Sequence, residues 1–235
     1  MEINKYWEDI NERLDNLVKN GFVKLPSLSQ FSLDDISQDI ANEMNGATFS
    51  ELSSSHSIFL KNFEIEKYLT PKLFDIANNL FGYKGSISNQ YHIARRVDPG
   101  NSKEMYRAHF DSHLFTMVLP IKIPKPLNSG TAGDLIYFPK ARKPPKNEIH
   151  NFIGKASHKR FASKKGIENF SKIKNKEVDN FDDYRPLLFL GNTTLHTNKQ
   201  VSSDCSSYRL TLLAHFFDPS PKYGVGGILR LIRSR

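Results

Sequence analysis

Two side chains with metal-binding chemistry stand two residues apart in the segment His109-Phe110-Asp111. Successive side chains of a β-strand point to opposite faces, so in an extended segment His109 and Asp111 project in the same direction. An imidazole and a carboxylate side by side can supply two ligands of a metal site. The third ligand has to come from another part of the chain.

That third ligand can be His196, which follows the apolar run Leu187–Leu190 and the turn-forming residues 191–194. Two histidines and one carboxylate with open positions opposite them suit non-haem Fe(II). Zinc is the competing metal. Structural zinc usually takes four Cys/His ligands, and the chain has only one cysteine, Cys205. A catalytic zinc site with two histidines and a carboxylate stays open on ligand count.

A strand-like segment thirteen residues beyond His196 carries Arg209 and Thr211. Alternation places these two side chains on one face and the apolar Leu210 and Leu212 on the other. A guanidinium that points into a protein interior is costly unless an anion meets it there. Its planar fork suits a carboxylate, which it can bind through two parallel hydrogen bonds. We therefore expect Arg209 to bind a carboxylate group, a role that a zinc site leaves unexplained.

The three segments together resemble the Fe(II)/2-oxoglutarate-dependent dioxygenase superfamily, and most of all its phytanoyl-CoA dioxygenase branch. The family's pattern is His-x-Asp, then a distal histidine, then an arginine further along the chain. Here that pattern falls on His109-Phe110-Asp111, His196 and Arg209. The likeness covers nearly the whole chain except a basic segment in its second half.

Three shorter segments also carry the resemblance. Residues 19–26, Lys-Asn-Gly-Phe-Val-Lys-Leu-Pro, resemble the start of the phytanoyl-CoA branch, where a helix leads to a Gly-Phe strand. Residues 133–139, Gly-Asp-Leu-Ile-Tyr-Phe-Pro, resemble a strand in the middle of its core. Asn89-Gln90-Tyr91 resembles the Asn-x-Tyr with which AlkB-like members hold the cosubstrate.

The resemblance implies an α+β fold whose core is a double-stranded β-helix, a cupin-like jelly-roll, with N-terminal helices packed on one side. It implies that His109, Asp111 and His196 bind Fe(II) and that Arg209 binds the distal carboxylate of 2-oxoglutarate. Iron, 2-oxoglutarate and O2 would carry the oxidative chemistry, and the protein would position an unactivated C–H bond for hydroxylation. Further candidates for contacts with the cosubstrate are Thr211, Asn89 and Tyr91.

Two more residues are candidates for contacts with the substrate. If the strand of Asp111 continues, His113 lies on the same face as Asp111. His113 then either contacts the substrate or a metal ligand, or has a structural role. Arg95 shares a face with Tyr91, so it either reaches an acidic substrate or forms a surface ion pair at the strand end. For His215, near the end of its strand, we expect a structural role.

Hydrophobic spacing predicts the elements that carry these residues. Apolar residues at helical spacing predict helices near 2–20, 32–44 and 70–82, two of them ended by Gly21 and Gly82. Helices followed by many strands with turns between them indicate an α+β chain with a double-sheeted β-core. The predicted strands are residues 22–25, 86–97, the segment of His109 and Asp111, 114–123, 133–139, 187–190 and 208–217, and residues 50–57 are predicted to be a loop.

Length and composition favour one globular domain spanning residues 1–235. With 38% hydrophobic residues the chain can form an ordinary core. No apolar run approaches the roughly 18 residues needed to cross a bilayer, and the polar N-terminus does not resemble a signal peptide. A single cysteine excludes an internal disulfide, so we expect a reducing, cytoplasmic setting. These features do not indicate the oligomeric state.

Positive charge is concentrated in one segment. The chain has a net charge of +8, and twelve Lys/Arg against three Glu lie between Lys140 and Glu177. The pair Pro144-Pro145 and the few apolar residues predict a long insertion, at about 140–185, with little helix. It falls where relatives often build a lid over the substrate, and its charge indicates either a solvated surface or a site for an anionic ligand. The chain ends in a short basic and apolar segment, residues 228–235. We expect it to dock against the core, with contact to a membrane surface as the alternative.

Three functions are consistent with these features. The first is an Fe(II)- and 2-oxoglutarate-dependent dioxygenase that hydroxylates an unactivated C–H bond of a small or carrier-borne, anionic metabolite. The second is an AlkB-like oxidative demethylase of nucleic acid, which the segment Asn89-Gln90-Tyr91 and the basic insertion favour. The third is a non-catalytic β-barrel module that binds an anionic ligand. The complete set of three metal ligands together with Arg209 argues against the third.

Overall fold

Helices dominate the first third of the chain and strands the rest, as hydrophobic spacing predicts. The computed structural model describes residues 3–29, 31–51, 59–103, 105–145 and 148–219. The first elements are α1 (Ile3–Tyr6), α2 (Ile10–Asn20), β1 (Phe22–Lys24), α3 (Leu33–Met44), β2 (Phe49–Glu51), α4 (Ile65–Tyr68) and α5 (Thr70–Phe81). The later elements are β3 (Gln90–Val97), β4 (Phe115–Lys122), β5 (Leu135–Phe138), α6 (Glu148–His158), a 3₁₀ turn (Lys159–Phe161), α7 (Lys164–Phe170), β6 (Glu177–Asp179), β7 (Leu187–Leu190), β8 (Leu195–Asn198) and β9 (Arg209–Phe216).

Helix α2 shows why the first third folds as predicted. Ile10, Leu14 and Leu17 recur every three or four residues and are buried on one face. The helix ends at Gly21, whose φ of 86° lies in the left-handed region that glycine adopts without strain. The Gly21 N–H donates to the Leu17 carbonyl at 2.7 Å and closes the last turn. Strand β1 starts directly after this stop.

The strands form two antiparallel sheets. The larger has six strands in the order β1-β7-β4-β9-β3-β2, and the smaller has three in the order β6-β5-β8. Within the large sheet, β9 pairs with both β3 and β4, so strands far apart in the chain are neighbours. The mixed helix and antiparallel-sheet architecture expected for an α+β chain is confirmed.

The two faces of the large sheet have different neighbours. On one face, Leu210 and Leu212 of β9 pack with the N-terminal helices in the main hydrophobic core. On the other face, Phe189 of β7 packs with Tyr137 of β5, a strand of the small sheet. The helices therefore cover one face of the large sheet and the small sheet covers the other. Odd-numbered side chains of β9, Arg209 among them, point between the sheets.

The basic insertion contains more helix than expected, so the prediction of little helix at 140–185 is wrong. Helix α7 has an N-cap, because the Ser163 Oγ accepts a hydrogen bond from the Gly166 N–H at 3.0 Å. Ile167 and Phe170 lie three residues apart on its buried face. The Phe170 ring contacts Phe138 at a centroid distance of 4.8 Å, on the outer face of the small sheet. The insertion therefore covers this sheet, a function that its high charge conceals in the sequence.

Two predicted strands differ from the structure. The segment of His109 and Asp111 forms no regular strand and pairs only at one isolated β-bridge, between His109 and His196. Strand β3 begins at Gln90 rather than at residue 86, because the residues before it form a turn. Both differences come at ends of sheet pairing, where the hydrogen-bonding partner decides the strand and the local sequence does not.

Some predictions fall on residues that the structure does not describe. The loop expected at residues 50–57 lies mostly there, and its first two residues belong to β2. The C-terminal segment 228–235 lies entirely outside the described ranges. Among the helices that are described, none combines the length and the apolar character needed to cross a bilayer.

Candidate metal centre

Three side chains from two distant parts of the chain meet beside the small sheet. The metal-binding atoms of His109, Asp111 and His196 all lie within 4.8 Å of one another. His109 Nε2 is 3.6 Å from Asp111 Oδ1, and His196 Nε2 is 3.7 Å from Asp111 Oδ2. The structure thus brings together all three side chains that the sequence analysis selected as metal ligands.

Backbone hydrogen bonds hold this arrangement. His109 and His196 exchange two of them, with N···O distances of 3.1 and 3.0 Å, and the Asp111 N–H donates to the Gly191 carbonyl at 3.1 Å. Gly191 has to be glycine. A Cβ there would lie 2.6 Å from the Thr116 Oγ and 3.1 Å from the Asp111 Cβ. The turn after β7 can therefore approach the Asp111 segment closely only without a side chain.

Both imidazoles present the same nitrogen to the centre. His109 Nδ1 is 2.8 Å from the Arg107 carbonyl, and His196 Nδ1 is 3.2 Å from the Thr194 carbonyl. A carbonyl oxygen only accepts, so in each ring Nδ1 carries the proton and donates it. Each Nε2 then has a free lone pair directed toward Asp111. Hydrogen bonds of this kind orient metal-binding histidines in proteins.

The protonation states also suit a metal. Burial lowers the pKa of the His196 imidazole to about 4, although Asp111 acts in the opposite direction. Burial alone raises the pKa of the Asp111 carboxyl, but the imidazoles of His196, His215 and His109 and the hydrogen bond from Thr116 together hold it below its ordinary value. At neutral pH the site therefore offers a neutral imidazole and an ionised carboxylate, which are the forms that bind metal.

A buried hydroxyl and a fourth histidine support Asp111. The Thr116 hydroxyl donates to Asp111 Oδ2 at 2.6 Å and lies 3.1 Å from His215 Nδ1. Because its single proton goes to the carboxylate, the Thr116 oxygen accepts from the His215 Nδ1–H. His215 Nδ1 itself is 3.9 Å from Asp111 Oδ2. The sequence does not single out Thr116, and for His215 its pattern predicts only a structural role.

The rings of His215, His113 and Tyr91 stack on one another and extend from His215 toward solvent. The His215 ring lies 5.1 Å from His113 and 6.1 Å from Tyr91, and Tyr91 lies 6.3 Å from His113, all with near-parallel planes. Tyr91 is 42% exposed. Tyr91 and His113 were proposed for contacts with the cosubstrate or the substrate. Both stack with His215, which lies next to the metal ligand Asp111.

Asn89 lies elsewhere. Its side-chain amide donates to the Asp218 carbonyl at 3.1 Å, and its own carbonyl accepts from the Phe217 N–H. These two hydrogen bonds connect the residues after β9 to the turn before β3. A role for Asn89 toward the cosubstrate stays a prediction.

Arg209 is buried between the sheets, with only 3% of its surface exposed. Burial lowers the pKa of its guanidinium to about 9. In the described part of the chain, no carboxylate lies within ion-pair distance of it. The nearest candidates are already engaged, since Asp134 pairs with Lys199 at 2.9 Å and Asp179 pairs with Lys24 at 3.0 Å. A buried cation without a counter-ion of its own fits an anionic ligand.

Thr211 and Arg95 line the same inner surface. Thr211 is buried one pleat from Arg209, and the β3–β9 register places it opposite Arg95. Arg95 is half-buried and donates from Nη1 to the Asn198 Oδ1 at 2.7 Å. This hydrogen bond does not decide between its two expected roles, so a contact of Arg95 with an acidic substrate stays a prediction. Asn198 was not selected from the sequence, although it follows His196 by two residues and so shares its face of β8.

Comparison with known proteins yields structural matches only. No family model matches the sequence, and no curated protein matches it. The carbocyclase SnoK of nogalamycin biosynthesis, described as non-haem and α-ketoglutarate-dependent, superposes with a TM-score of 0.58 at 12% identity, covering 96% of this chain and 92% of SnoK. A prolyl 4-hydroxylase from Phytophthora capsici gives 0.57 at 12% identity, covering 99% of this chain and 73% of that one. The chain has the fold of 2-oxoglutarate-dependent oxygenases.

A third match has a peptide ligand. A prolyl hydroxylase from Trichoplax adhaerens, solved with a hypoxia-inducible factor peptide, gives a TM-score of 0.50 at 16% identity and covers 92% of both chains. The resemblance of the sequence to the oxygenase superfamily is confirmed at the level of this fold. Membership of the phytanoyl-CoA branch stays a prediction, because these neighbours are described as hydroxylases of proline and enzymes of nogalamycin biosynthesis.

Proposed function

We propose that the chain is an Fe(II)- and 2-oxoglutarate-dependent dioxygenase that hydroxylates an unactivated C–H bond. We further propose that residues 1–235 form one domain around a double-stranded β-helix, whose two walls are the large and small sheets. The observation that carries the proposal is the convergence of His109, Asp111 and His196 together with a buried guanidinium, Arg209, that has no carboxylate partner among the described residues.

Each residue has a defined task in this proposal. Fe(II), with 2-oxoglutarate and O2, supplies the oxidation, in which 2-oxoglutarate becomes succinate and carbon dioxide. His109, Asp111 and His196 hold the metal, and the two Nδ1–H donors keep both imidazoles turned toward it. The Thr116 hydroxyl holds one carboxylate oxygen of Asp111.

Arg209 gives the proposal its cosubstrate. A guanidinium binds a carboxylate through paired, charge-assisted hydrogen bonds, and burial strengthens them. In this proposal a dicarboxylic acid binds the metal with one end and Arg209 with the other. A zinc site with the same three ligands leaves the buried Arg209 without a ligand, so we prefer iron.

The test is spectroscopic. Mixing the protein with Fe(II) and 2-oxoglutarate without oxygen should produce a visible metal-to-ligand charge-transfer band. Asp111→Ala should abolish it, because a metal ligand is lost. Arg209→Ala should raise the 2-oxoglutarate concentration needed for half of the band by roughly 30-fold or more, the effect of truncating one partner of a buried charge pair.

Arg96→Ala is the matched control. Arg96 lies on β3, the strand that pairs with β9 and so with the strand of Arg209, but it pairs with Asp98 at 2.9 Å and stacks on Tyr208 away from the metal centre. It should leave the band unchanged. A wild-type protein that binds Fe(II) but shows no band with 2-oxoglutarate would contradict the proposal and favour the zinc or the non-catalytic alternative.

For the substrate we propose a small or carrier-borne metabolite with an anionic group. The support is the basic insertion, whose helix α6 reaches the metal centre, since Lys155 Nζ donates to the Ser112 hydroxyl at 3.0 Å directly beside Asp111. A screen of phosphorylated and carboxylated metabolites for stimulated succinate release tests this. Stimulation only by neutral compounds would contradict it.

A nucleic-acid substrate is the second candidate. It is favoured by exposed cations of the insertion, such as Lys164, Lys165 and Lys172, which form no ion pair with any carboxylate that the structure describes. Phosphate contacts release counterions, so binding to oligonucleotides should weaken steeply with salt. Affinity that does not change with salt would remove this candidate.

A further inference from the structure

Phe110 separates the two proposed metal ligands His109 and Asp111 in the chain. Its ring is buried, with 2% of its surface exposed, in the cluster that packs the basic insertion onto the outer face of the small sheet. The ring centre lies 4.0 Å from the guanidinium carbon of Arg142 and 4.9 Å from the centre of the His158 ring, which stands perpendicular to it. Two side chains of the insertion therefore hold the residue between two metal ligands.

Arg142 also contacts the turn between β7 and β8, which leads to the third ligand, His196. Its Nε donates to the Asn192 carbonyl at 2.8 Å. The residue before Asn192 is Gly191, whose carbonyl accepts the hydrogen bond from the Asp111 N–H. One side chain thus contacts both of the chain segments that carry the metal ligands.

The same guanidinium binds helix α6. Its Nη2 donates to the Asn151 Oδ1 at 2.8 Å. Three residues further along, Gly154 leaves room for the guanidinium, because a Cβ there would lie 2.6 Å from the Arg142 Nη1. In the same helix Lys155 donates to the hydroxyl of Ser112, which directly follows the Asp111 ligand in the chain. Helix α6 therefore lies against the metal-binding segment, and Arg142 contacts both.

The chemistry of arginine suits this position. Burial lowers the pKa of the Arg142 guanidinium to about 10, so the group stays charged at neutral pH. The contacts named above are with a ring and with carbonyl and amide oxygens, and none of them is a carboxylate. A planar guanidinium can stack on a ring with its face while its edge donates hydrogen bonds. A lysine ammonium is a compact point charge and cannot make all of these contacts at once.

We propose that Arg142 is a positioning residue of the metal centre. It fixes Phe110, and with it the spacing of His109 and Asp111, and it couples the position of helix α6 to metal binding. The inference rests on the proposed function, since it takes these residues as metal ligands, and it goes beyond that function. It gives the basic insertion a task at the metal centre that is separate from the recognition of an anionic substrate.

The first test is calorimetric titration of Mn(II). Arg142→Gln should raise the Kd of Mn(II) roughly tenfold or more, as when groups that orient metal ligands are lost. Arg142→Lys keeps the charge near the ring without the fork and should give an intermediate Kd. Gly154→Ala keeps the arginine but displaces its guanidinium. It should also raise the Kd, although alanine normally favours a helix over glycine.

Arg185→Gln is the control for lost stability. Arg185 is also half-buried, and its Nε donates to the Leu25 carbonyl at 2.9 Å, but it lies at the opposite end of β7 from Gly191. This variant should lose stability in chemical denaturation and keep the wild-type Kd of Mn(II). Wild-type Kd values in both Arg142→Gln and Gly154→Ala would overturn the inference. So would an equal rise of the Kd in Arg185→Gln and Arg142→Gln.

Hydrogen exchange tests the coupling to helix α6. If the position of this helix affects metal binding, metal binding must stabilise the helix in return. Mn(II) should therefore slow the exchange of the α6 amides in wild-type protein, and this slowing should be smaller in Arg142→Gln. An arginine that only supports the fold would leave the Mn(II)-dependent slowing the same in both proteins, and that result would also overturn the inference.

The inference and the proposed function can fail separately. If wild-type protein binds Mn(II) and Asp111→Ala does not, while the Arg142 and Gly154 variants bind it as wild-type protein does, only the positioning role is wrong. If wild-type protein does not bind Mn(II), or Asp111→Ala binds it equally well, the proposed function is wrong and the positioning role falls with it.

Discussion

Thr116 is the residue on which the presentation of Asp111 depends. Its hydroxyl donates to Asp111 Oδ2 at 2.6 Å, so Thr116→Val removes that bond and keeps the shape. We expect Mn(II) affinity to fall about tenfold or more, as when groups that orient metal ligands are lost. Calorimetric titration of Mn(II) measures it.

Thr197→Val is the matched control. Thr197 is buried on β8, and its hydroxyl has no hydrogen-bond partner among the residues that the structure describes, so this change should leave Mn(II) affinity unaltered and stability equal or higher. Equal Mn(II) affinity in Thr116→Val and wild-type protein would show that the Thr116 hydroxyl does not support the site.

At the residue scale, the sequence allows the metal ligands to be selected but not the residues around them. His109 and Asp111 are recognisable because their types and spacing carry the chemistry. The bond between Thr116 and His215 depends on the register of β4 on β9, which pairs residues 99 positions apart. No local pattern encodes that register. A threonine inside an otherwise apolar strand was the one available signal for Thr116.

At the element scale, the turn before β5 positions Arg209. Gly133 has a φ of 83°, and a Cβ there would lie 2.8 Å from Val201 and 3.0 Å from the Arg209 side chain. Gly133→Ala should therefore lower the free energy of unfolding by about 1–2 kcal/mol from backbone strain and by more from crowding, and should weaken 2-oxoglutarate binding.

Gly82→Ala separates the two effects. Gly82 ends α5 with a φ of 63°, and nothing lies within 4 Å of a Cβ there. The Gly82→Ala variant should therefore lose stability from backbone strain alone, without steric crowding of the new methyl group. Chemical denaturation of both variants gives the difference. Equal losses of stability, with unchanged 2-oxoglutarate binding in Gly133→Ala, would contradict the assigned role of this turn.

The sequence predicts elements that have a strong periodic hydrophobic pattern and clear stop signals. It does not predict elements that depend on hydrogen bonding to a segment far away in the chain. Helix α2 is predictable from Ile10 to Gly21. Helix α7 is hidden by its lysines, although the Ser163 cap and the buried Ile167 and Phe170 are local signals. The segment of His109 appears strand-like in sequence, yet its pairing with His196 extends over a single bridge.

At the scale of the whole molecule, the candidate site joins residues of both sheets and of a connecting segment. Asp111 lies in a connecting segment, His196 on the small sheet and Arg209 on the large sheet. Mn(II) at about 100 times its Kd should therefore stabilise the fold by about 2.7 kcal/mol, and 2-oxoglutarate at the same excess by about as much again. Together they should raise Tm by roughly 10–20 °C.

Differential scanning calorimetry measures this shift, and a chelator should reverse it. In the Arg209→Ala variant, the increase in Tm caused by 2-oxoglutarate should be lost, while the increase caused by Mn(II) remains. A Tm that responds to Mn(II) equally in wild-type protein and in Asp111→Ala would mean that the metal binds elsewhere.

The side chain of His109 is 58% exposed, whereas those of Asp111 and His196 are each 10% exposed. One imidazole of the centre thus stands at the protein surface, where a dissolved molecule can take its place. His109→Gly should regain Mn(II) affinity when free imidazole is added, and His196→Gly should not, since its vacated space is enclosed. The difference in burial between two chemically identical side chains would then be measurable as chemical complementation of one variant and not the other.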